Sequence, residues 1–157
     1  MSRVFIGIGS NEGDRLQHIS QAVKALGALK GVRLLQLASI IETAPQGGPP
    51  QGPYLNSVVA VETEVPPREL LPALKAIETA LGRKSSAQRW APRPIDLDLL
   101  LYGDLVMQEP GLTIPHPRLH ARRFVLEPLA QIAPDRLHPV LNRSISELLQ
   151  QLAPVEP

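Results

Sequence analysis

The stretch VRLLQLASIIETAPQGGPPQGPYLNSVVAVETE (32–64) decides the fold. Val32–Glu42 and Tyr54–Glu64 are rich in β-branched and apolar residues, and each reads as a strand. Between them, Thr43–Pro53 carries three glycines and four prolines in eleven residues. That composition excludes a helix or a central strand and predicts a long loop. Loops of this length in compact domains are commonly functional. Two neighbouring strands with helices elsewhere predict an α+β fold, with a mostly antiparallel sheet and helices on one face.

Working outward, Arg3–Gly9 (RVFIGIG) reads as a buried strand. Asp14 is placed to cap a helix running to about Leu26, with Leu16, Ile19, Val23 and Leu26 as its apolar stripe and Gly27 as its stop. Pro66-Pro67 opens a second helix, since proline is tolerated in a first turn. Leu70, Leu74, Ile77 and Leu81 follow at helical spacing, and Gly82 closes it. Ile95–Tyr102 (IDLDLLLY) is the next strand, with Gly103-Asp104 as a turn into Leu105–Met107. Leu112–Pro115 is a further short strand, and 116–130 is partly helical. Ser144 and Glu147 form a capping box for a last helix ending near Leu152. The order is β α β β α β, then a hairpin and extra helices, without a domain boundary, so residues 1–157 are expected to be one domain.

The chain has 157 residues, 43% of them hydrophobic, enough for a core. No apolar run approaches the ~20 residues of a membrane-spanning helix, and the opening Met1-Ser2-Arg3-Val4 passes straight into a strand, so a cytoplasmic protein is expected. Cysteine is absent, which excludes a disulfide framework and a thiolate nucleophile. A net charge of +1 gives no global footprint for nucleic acid or membrane. The charge is nevertheless sorted. Thr79–Ile95 has no acid but holds Arg83, Lys84, Arg89 and Arg93; Gly111–Leu126 has no acid but holds Arg118, Arg122, Arg123, His116 and His120. Asp96-Leu97-Asp98 stands between them.

Residues two apart on a strand share a face, so Asp96 and Asp98 point together while Leu97, Leu99 and Leu101 turn to the core. Two carboxylates held close repel, and a divalent cation relieves the repulsion; Mg²⁺ suits a site completed by phosphate oxygens and water. The plain alternative is the wet face of an amphipathic strand, although Leu100 and Tyr102 on that face confine the polarity to one end. The arginines of 83–93 match phosphate oxygens, or are a solvated basic loop. Trp90 either staples a core or stacks on a flat heterocycle. Asn56 presents a donor and an acceptor side by side, or is satisfied locally. Gly7, Gly9 and Gly13 do not make a dinucleotide fingerprint, because the third glycine comes one residue late; a tight strand-to-helix turn is the better reading. His116 and His120 are not a zinc helix, since Pro117 lies between them; His116 is better placed as a donor to phosphate. Two rivals remain: another nucleotide-dependent transferase with an Asp-x-Asp metal clamp, and a non-catalytic module whose proline-rich segments recruit a partner.

Several of these segments together resemble the 6-hydroxymethyl-7,8-dihydropterin pyrophosphokinases of folate biosynthesis: IGIGSN (6–11), ETAPQG (42–47), PYLN (53–56), IETALGR (77–83), RWAPRPIDLDLLLYG (89–103) and LTIPHPRLHARRFVLEPLAQIAP (112–134). The resemblance implies a ferredoxin-like α+β fold and transfer of pyrophosphate from ATP to the pterin hydroxymethyl group, leaving AMP. It implies two Mg²⁺ ions held by Asp96 and Asp98. Arg83 and Arg93 would contact the phosphates and act in catalysis; His116 and Arg122 would also bind ATP phosphates; Glu78, Leu99 and Thr113 would lie nearer the nucleoside. Trp90, also beside ATP, and Phe124 would sandwich the pterin, with Thr43, Pro45, Tyr54 and Asn56 along its edge. The partners implied are these two small molecules, with neither nucleic acid nor membrane, acting on a monomer. The chain departs from the pattern at Ser85 and Gly111, where members of the family carry arginine, and at Ala44, where proline is common.

Overall fold

The computed structural model describes residues 1–44, 52–82 and 94–152. Seven strands and four helices are seen among them: β1 (Ser2–Ser10), α1 (Arg15–Ala28), β2 (Val32–Leu37), β3 (Ile41–Thr43), β4 (Tyr54–Thr63), α2 (Pro67–Ala80), β5 (Asp96–Tyr102), β6 (Met107–Glu109), β7 (Leu112–Ile114), α3 (Arg123–Ile132) and α4 (Ile145–Gln151). A 3-10 turn at Leu119–Ala121 precedes α3. The main sheet runs β2-β4-β1-β5, with β3 also pairing β4, and every pairing is antiparallel. This is the expected ferredoxin-like α+β arrangement. β6 and β7 form a separate hairpin.

The helices, however, occupy both faces. Val4, Ile6 and Ile8 of β1 pack with Ile19 and Leu26 of α1 and with Leu70 and Leu74 of α2. Phe5 of β1 and Val58 and Ala60 of β4 point the other way, against Val125, Leu126 and Leu129 of α3 and Ile145 and Leu148 of α4. An antiparallel sheet with apolar residues on both sides needs a cover on each. The βαββαβ unit supplies one cover and the C-terminal helices supply the other, so the expectation of helices on one face holds only for α1 and α2.

Local chemistry accounts for most boundaries. Asp14 accepts from the Gln17 N–H and caps α1, which runs through Gly27 to Ala28. Its buried face is Ile19, Ala22 and Leu26, and Leu16 stands 58% exposed, outside the expected stripe. The expected strand 32–42 is broken at 38–40. There the Ala38 N–H still donates to the Val58 carbonyl, but the Ser39 N–H turns to Gln131 Oε1 of α3. Ser144 accepts from the Glu147 N–H while the Ser144 N–H donates to the Glu147 carboxylate, completing the capping box of α4. Because α4 carries Ile145 and Leu148 into the second cluster, Ser144→Ala should lower the unfolding free energy by about 1 kcal/mol, measurable by chemical denaturation, with no change in the pairing of β1 and β4.

Candidate active site

The site lies on the α3 face of the sheet, one pleat beyond the end of the second cluster. Along β1 the residues on that face are Phe5, Gly7 and Gly9, so the central strand loses its side chains where the core stops. Gly9 is in register with Asp96 of β5 on one side and with Asn56 of β4 on the other; Gly7 is in register with Asp98 and Val58. Asp96 and Asn56 therefore stand two strand spacings apart, roughly 10 Å, across a floor of bare backbone. A Cβ on Gly7 would lie 3.7 Å from Asp98 Cβ and 3.5 Å from Leu100 Cδ1, and one on Gly9 would collide with Asn56 Oδ1 at 2.7 Å. The glycines are positions that sequence reasoning placed in a buried strand and its following turn, without a role in the site. Their signal was their spacing of two within a strand, which puts both on one face.

Asp96 and Asp98 are half-buried and share that face, as expected. The alternation beyond them fails. β1 and β5 shift register between Phe5 and Ile6, so that Phe5 faces Leu101 and Ile6 faces Leu99, leaving Leu100 as the extra residue of a bulge. Leu100 and Leu101 both enter the second cluster, while Tyr102 returns to the first and donates its hydroxyl to the Val65 carbonyl. Leu101 thus leaves the face expected of it, and so does Tyr102. Two hard carboxylates over an open glycine floor fit a divalent cation. Among the described residues no third His, Asp, Glu or Cys joins a metal-holding group with them, so such a cation would complete its shell from water or phosphate.

On the other side of the floor, Asn56 is 8% exposed and its Nδ2 donates to Thr43 Oγ1 at 2.6 Å. Tyr54 pairs with Thr43, and its ring edge lies 3.5 Å from the position of a Gly9 Cβ. Thr43, Tyr54 and Asn56 are thus brought together as expected. Asn11, 8% exposed, extends its Nδ2 to the Gly52 carbonyl at 3.5 Å; it was not singled out in the sequence.

The third wall comes from the segment between β7 and α3. The His116 N–H donates to the Leu100 carbonyl, tying this segment to the bulge of β5. His116 Nδ1 accepts the Arg118 N–H at 3.1 Å. With Nδ1 used as an acceptor, the neutral ring carries its proton on Nε2 and is left as a hydrogen-bond donor. Burial, with Arg122 and Arg118 adding to it against the opposing pull of Asp96, pushes the His116 pKa down to about 4. The Arg122 guanidinium lies 5.5 Å from the centre of the Phe124 ring, a cation–π contact. Thr113 sits in β7, half-buried. Leu99 has its side chain in the first cluster, 5% exposed, so its backbone is what a ligand can meet. Glu78 is buried in α2 and accepts the Leu97 N–H. Gly111 turns the β6–β7 hairpin at φ +78°, where any side chain is strained, with nothing within 4 Å of a Cβ. Pro45, Arg83, Ser85, Trp90 and Arg93 lie outside the described residues.

Fold and site together define a class: a small antiparallel α+β protein whose sheet end sets paired carboxylates opposite an amide pocket. The family model described as 7,8-dihydro-6-hydroxymethylpterin-pyrophosphokinase (HPPK) matches residues 5–134. The 2-amino-4-hydroxy-6-hydroxymethyldihydropteridine pyrophosphokinase of Methylorubrum extorquens is 39% identical over 154 residues, 98% of this chain and 96% of that one. The Haemophilus influenzae protein of the same name is 39% identical over 153 residues, covering 98% and 94%. The crystal structure of wild-type Plasmodium falciparum HPPK-DHPS superposes with a TM-score of 0.73 at 16% identity, covering 96% of this chain and 44% of that one. The chain belongs to the 7,8-dihydro-6-hydroxymethylpterin-pyrophosphokinase family. It is an enzyme of that class, ATP-dependent and acting on small molecules, and none of its described helices is long and apolar enough to cross a membrane.

Two outcomes follow from this geometry. Gly9→Ala should displace the Asn56 amide and raise by at least about tenfold the KM of the substrate that meets that amide, with the other substrate's KM little changed, as steady-state kinetics in each substrate would show. His116 should appear by imidazole ¹⁵N NMR as the neutral Nε2–H tautomer at pH 7. Its folded pKa is below the unfolded value of about 6.5. The stability it contributes is therefore complete above that value and is lost as pH falls through about 4, where the protonated ring can no longer accept the Arg118 N–H.

Proposed function

We propose that this chain, as a single pyrophosphokinase domain over residues 1–157, transfers pyrophosphate from ATP to the hydroxymethyl group of 6-hydroxymethyl-7,8-dihydropterin, releasing AMP. The observation that carries the reading is the register of Gly9, which sets Asp96 on one flank and Asn56 on the other. A triphosphate held at the carboxylates and a flat heterocycle held at the amide would then meet over the glycine floor. Asn56, backed by Thr43, reads the heterocycle edge with one acceptor and one donor, and Tyr54 flanks it.

On the phosphate side, Asp96 and Asp98 would hold two Mg²⁺ ions. When bound, the ions supply charge neutralisation and a template for the phosphate oxygens. The protein's own groups do the rest. His116, as a neutral Nε2–H donor, gives a phosphate oxygen a hydrogen bond without adding a cation to a cluster that already holds Arg118 and Arg122. Arg122 offers a planar donor fork to the phosphates, and Phe124 beside it presents a ring face to the pterin. Thr113 and the Leu99 backbone lie toward the nucleoside. Arg83, Trp90 and Arg93 are assigned to phosphate and pterin through the family resemblance, with Pro45 at the pterin edge. The pterin hydroxyl attacks the β-phosphorus in line and gives up its proton to solvent, the bond from the β-phosphorus to the α,β-bridging oxygen breaks, and AMP leaves. A monomer acting in the cytoplasm completes the reading.

Incubation with ATP, Mg²⁺ and 6-hydroxymethyl-7,8-dihydropterin should yield AMP in equal amount with the pterin pyrophosphate, and ADP would contradict it. Asp98→Ala should lose at least about a hundredfold in turnover while its thermal unfolding stays close to that of the parent; turnover near normal would remove the carboxylate pair from the mechanism.

A further inference from the structure

β5 ends the path β2-β4-β1-β5, so among the described residues β1 is its sole strand partner in that sheet. An edge strand exposes backbone donors that water ordinarily satisfies. At Leu97 the fold does otherwise. The Leu97 N–H donates to Glu78 Oε2 at 2.7 Å, and Glu78 is only 4% exposed. A buried carboxylate is a costly group to set against a backbone N–H, which makes the position of that N–H worth attention. Leu97 is the residue between Asp96 and Asp98. Its side chain is buried in the first cluster and it lies opposite Ile8 of β1. An amide turned to Glu78 is turned away from β1, so the ladder contacts of this segment fall to the flanking positions, opposite Gly9 and Gly7. Glu78 is itself fixed, because Leu70, Leu74 and Ile77 anchor the same face of α2 in the core. The hydrogen bond is short, 2.7 Å from donor to acceptor. Among the described residues Glu78 forms no three-member metal-holding group with the two aspartates.

We propose that Glu78 is a positioning residue: by capping the Leu97 amide it fixes the Asp96-Leu97-Asp98 segment so that both carboxylates address the site proposed for the two Mg²⁺ ions. This deepens the proposed function and rests on its reading of Asp96 and Asp98. It differs from the nucleoside contact that the family resemblance implies for Glu78, because the carboxylate acts through the backbone of the metal-holding strand. Partners at the second shell of metal sites commonly contribute 10–100-fold in metal affinity.

The test compares Glu78→Ala, Glu78→Gln and Asp98→Ala with the parent enzyme. Three quantities are read: hydrogen exchange at the Leu97 amide without ligands, the Mg²⁺ concentration for half-maximal velocity at saturating ATP, and the affinity for ATP without metal. Glu78→Ala should speed Leu97 exchange and raise the Mg²⁺ requirement by about tenfold or more, leaving metal-free ATP affinity unchanged. Glu78→Gln keeps an accepting oxygen and should stay close to the parent in all three. If the alanine variant does not fold, Glu78→Met, which keeps the bulk without the acceptor, takes its place. The proposal is overturned if Leu97 exchange and Mg²⁺ requirement stay at parental values. It is equally overturned if metal-free ATP binding is what weakens, or if glutamine is as damaging as alanine. An Asp98→Ala variant with normal Mg²⁺ dependence would overturn the reading of the site, and this inference with it; that failure is distinguished by Leu97 exchange that still follows Glu78.

Discussion

A β-strand that passes through the middle of a sheet normally fills both faces with side chains; β1 stops doing so on one face at Gly7. Everything arranged around the site depends on that. Neighbouring strands are ~4.8 Å apart, so a side chain at Gly7 or Gly9 would occupy the space between the carboxylates of β5 and the amide of β4. Neither glycine has a positive φ, so backbone freedom does not explain them. What they provide is room. At Gly9 the requirement is strict, since a Cβ would lie within 2.7 Å of Asn56 Oδ1. At Gly7 the space is ordinary contact distance, and the consequence of filling it is crowding against Asp98 and Leu100.

The electrostatics follow from the same arrangement. The segment that closes the site is rich in cations, and a charged histidine among them would be disfavoured twice, by burial and by Arg122 and Arg118. Asp96 pulls the other way but does not outweigh them. The ring is kept neutral, and the Arg118 N–H then determines which nitrogen holds the proton. Arg122 has a neighbour in the Phe124 ring, so the groups assigned to phosphate and to heterocycle are in contact.

How much of this was legible depends on whether the signal is local. The two-residue period of Asp96 and Asp98, the Asp14 cap and the Ser144–Glu147 capping box are properties of a few adjacent residues, and each stands where the sequence put it. The bulge at Leu100 is a property of a strand pair. No pattern within IDLDLLLY shows that β1 will shift register, and so the faces of Leu101 and Tyr102 were misjudged. The break at 38–40 has the same origin, since the Ser39 N–H is taken by Gln131, 92 positions away in the chain. The partly helical reading of 116–130 and the capping box at Ser144 marked helices there but carried nothing about which face of the sheet they cover. The Asp-x-Asp pair was visible as chemistry; the glycines were hidden because an absent side chain has no periodicity of its own unless its partners on β4 and β5 are known.

That the core and the site lie on one continuous sheet face explains why α3 begins where it does. Phe5, Val58, Ala60 and Leu101 are apolar and sit beneath α3 and α4. One pleat further on, the same face presents Gly7, Asp98 and, beyond Val58, Asn56. Val125, Leu126 and Leu129 of α3 need apolar partners, which end there. The helix cannot extend over the carboxylates without burying their charge, so its first turn falls at the boundary. Phe124, in that turn, packs partly against the second cluster and partly outside it. The position of an aromatic ring at the mouth of the site is thus set by the limit of the hydrophobic core, and a change that lengthened the apolar face at Gly7 would be expected to draw α3 forward over the site that the glycines keep open.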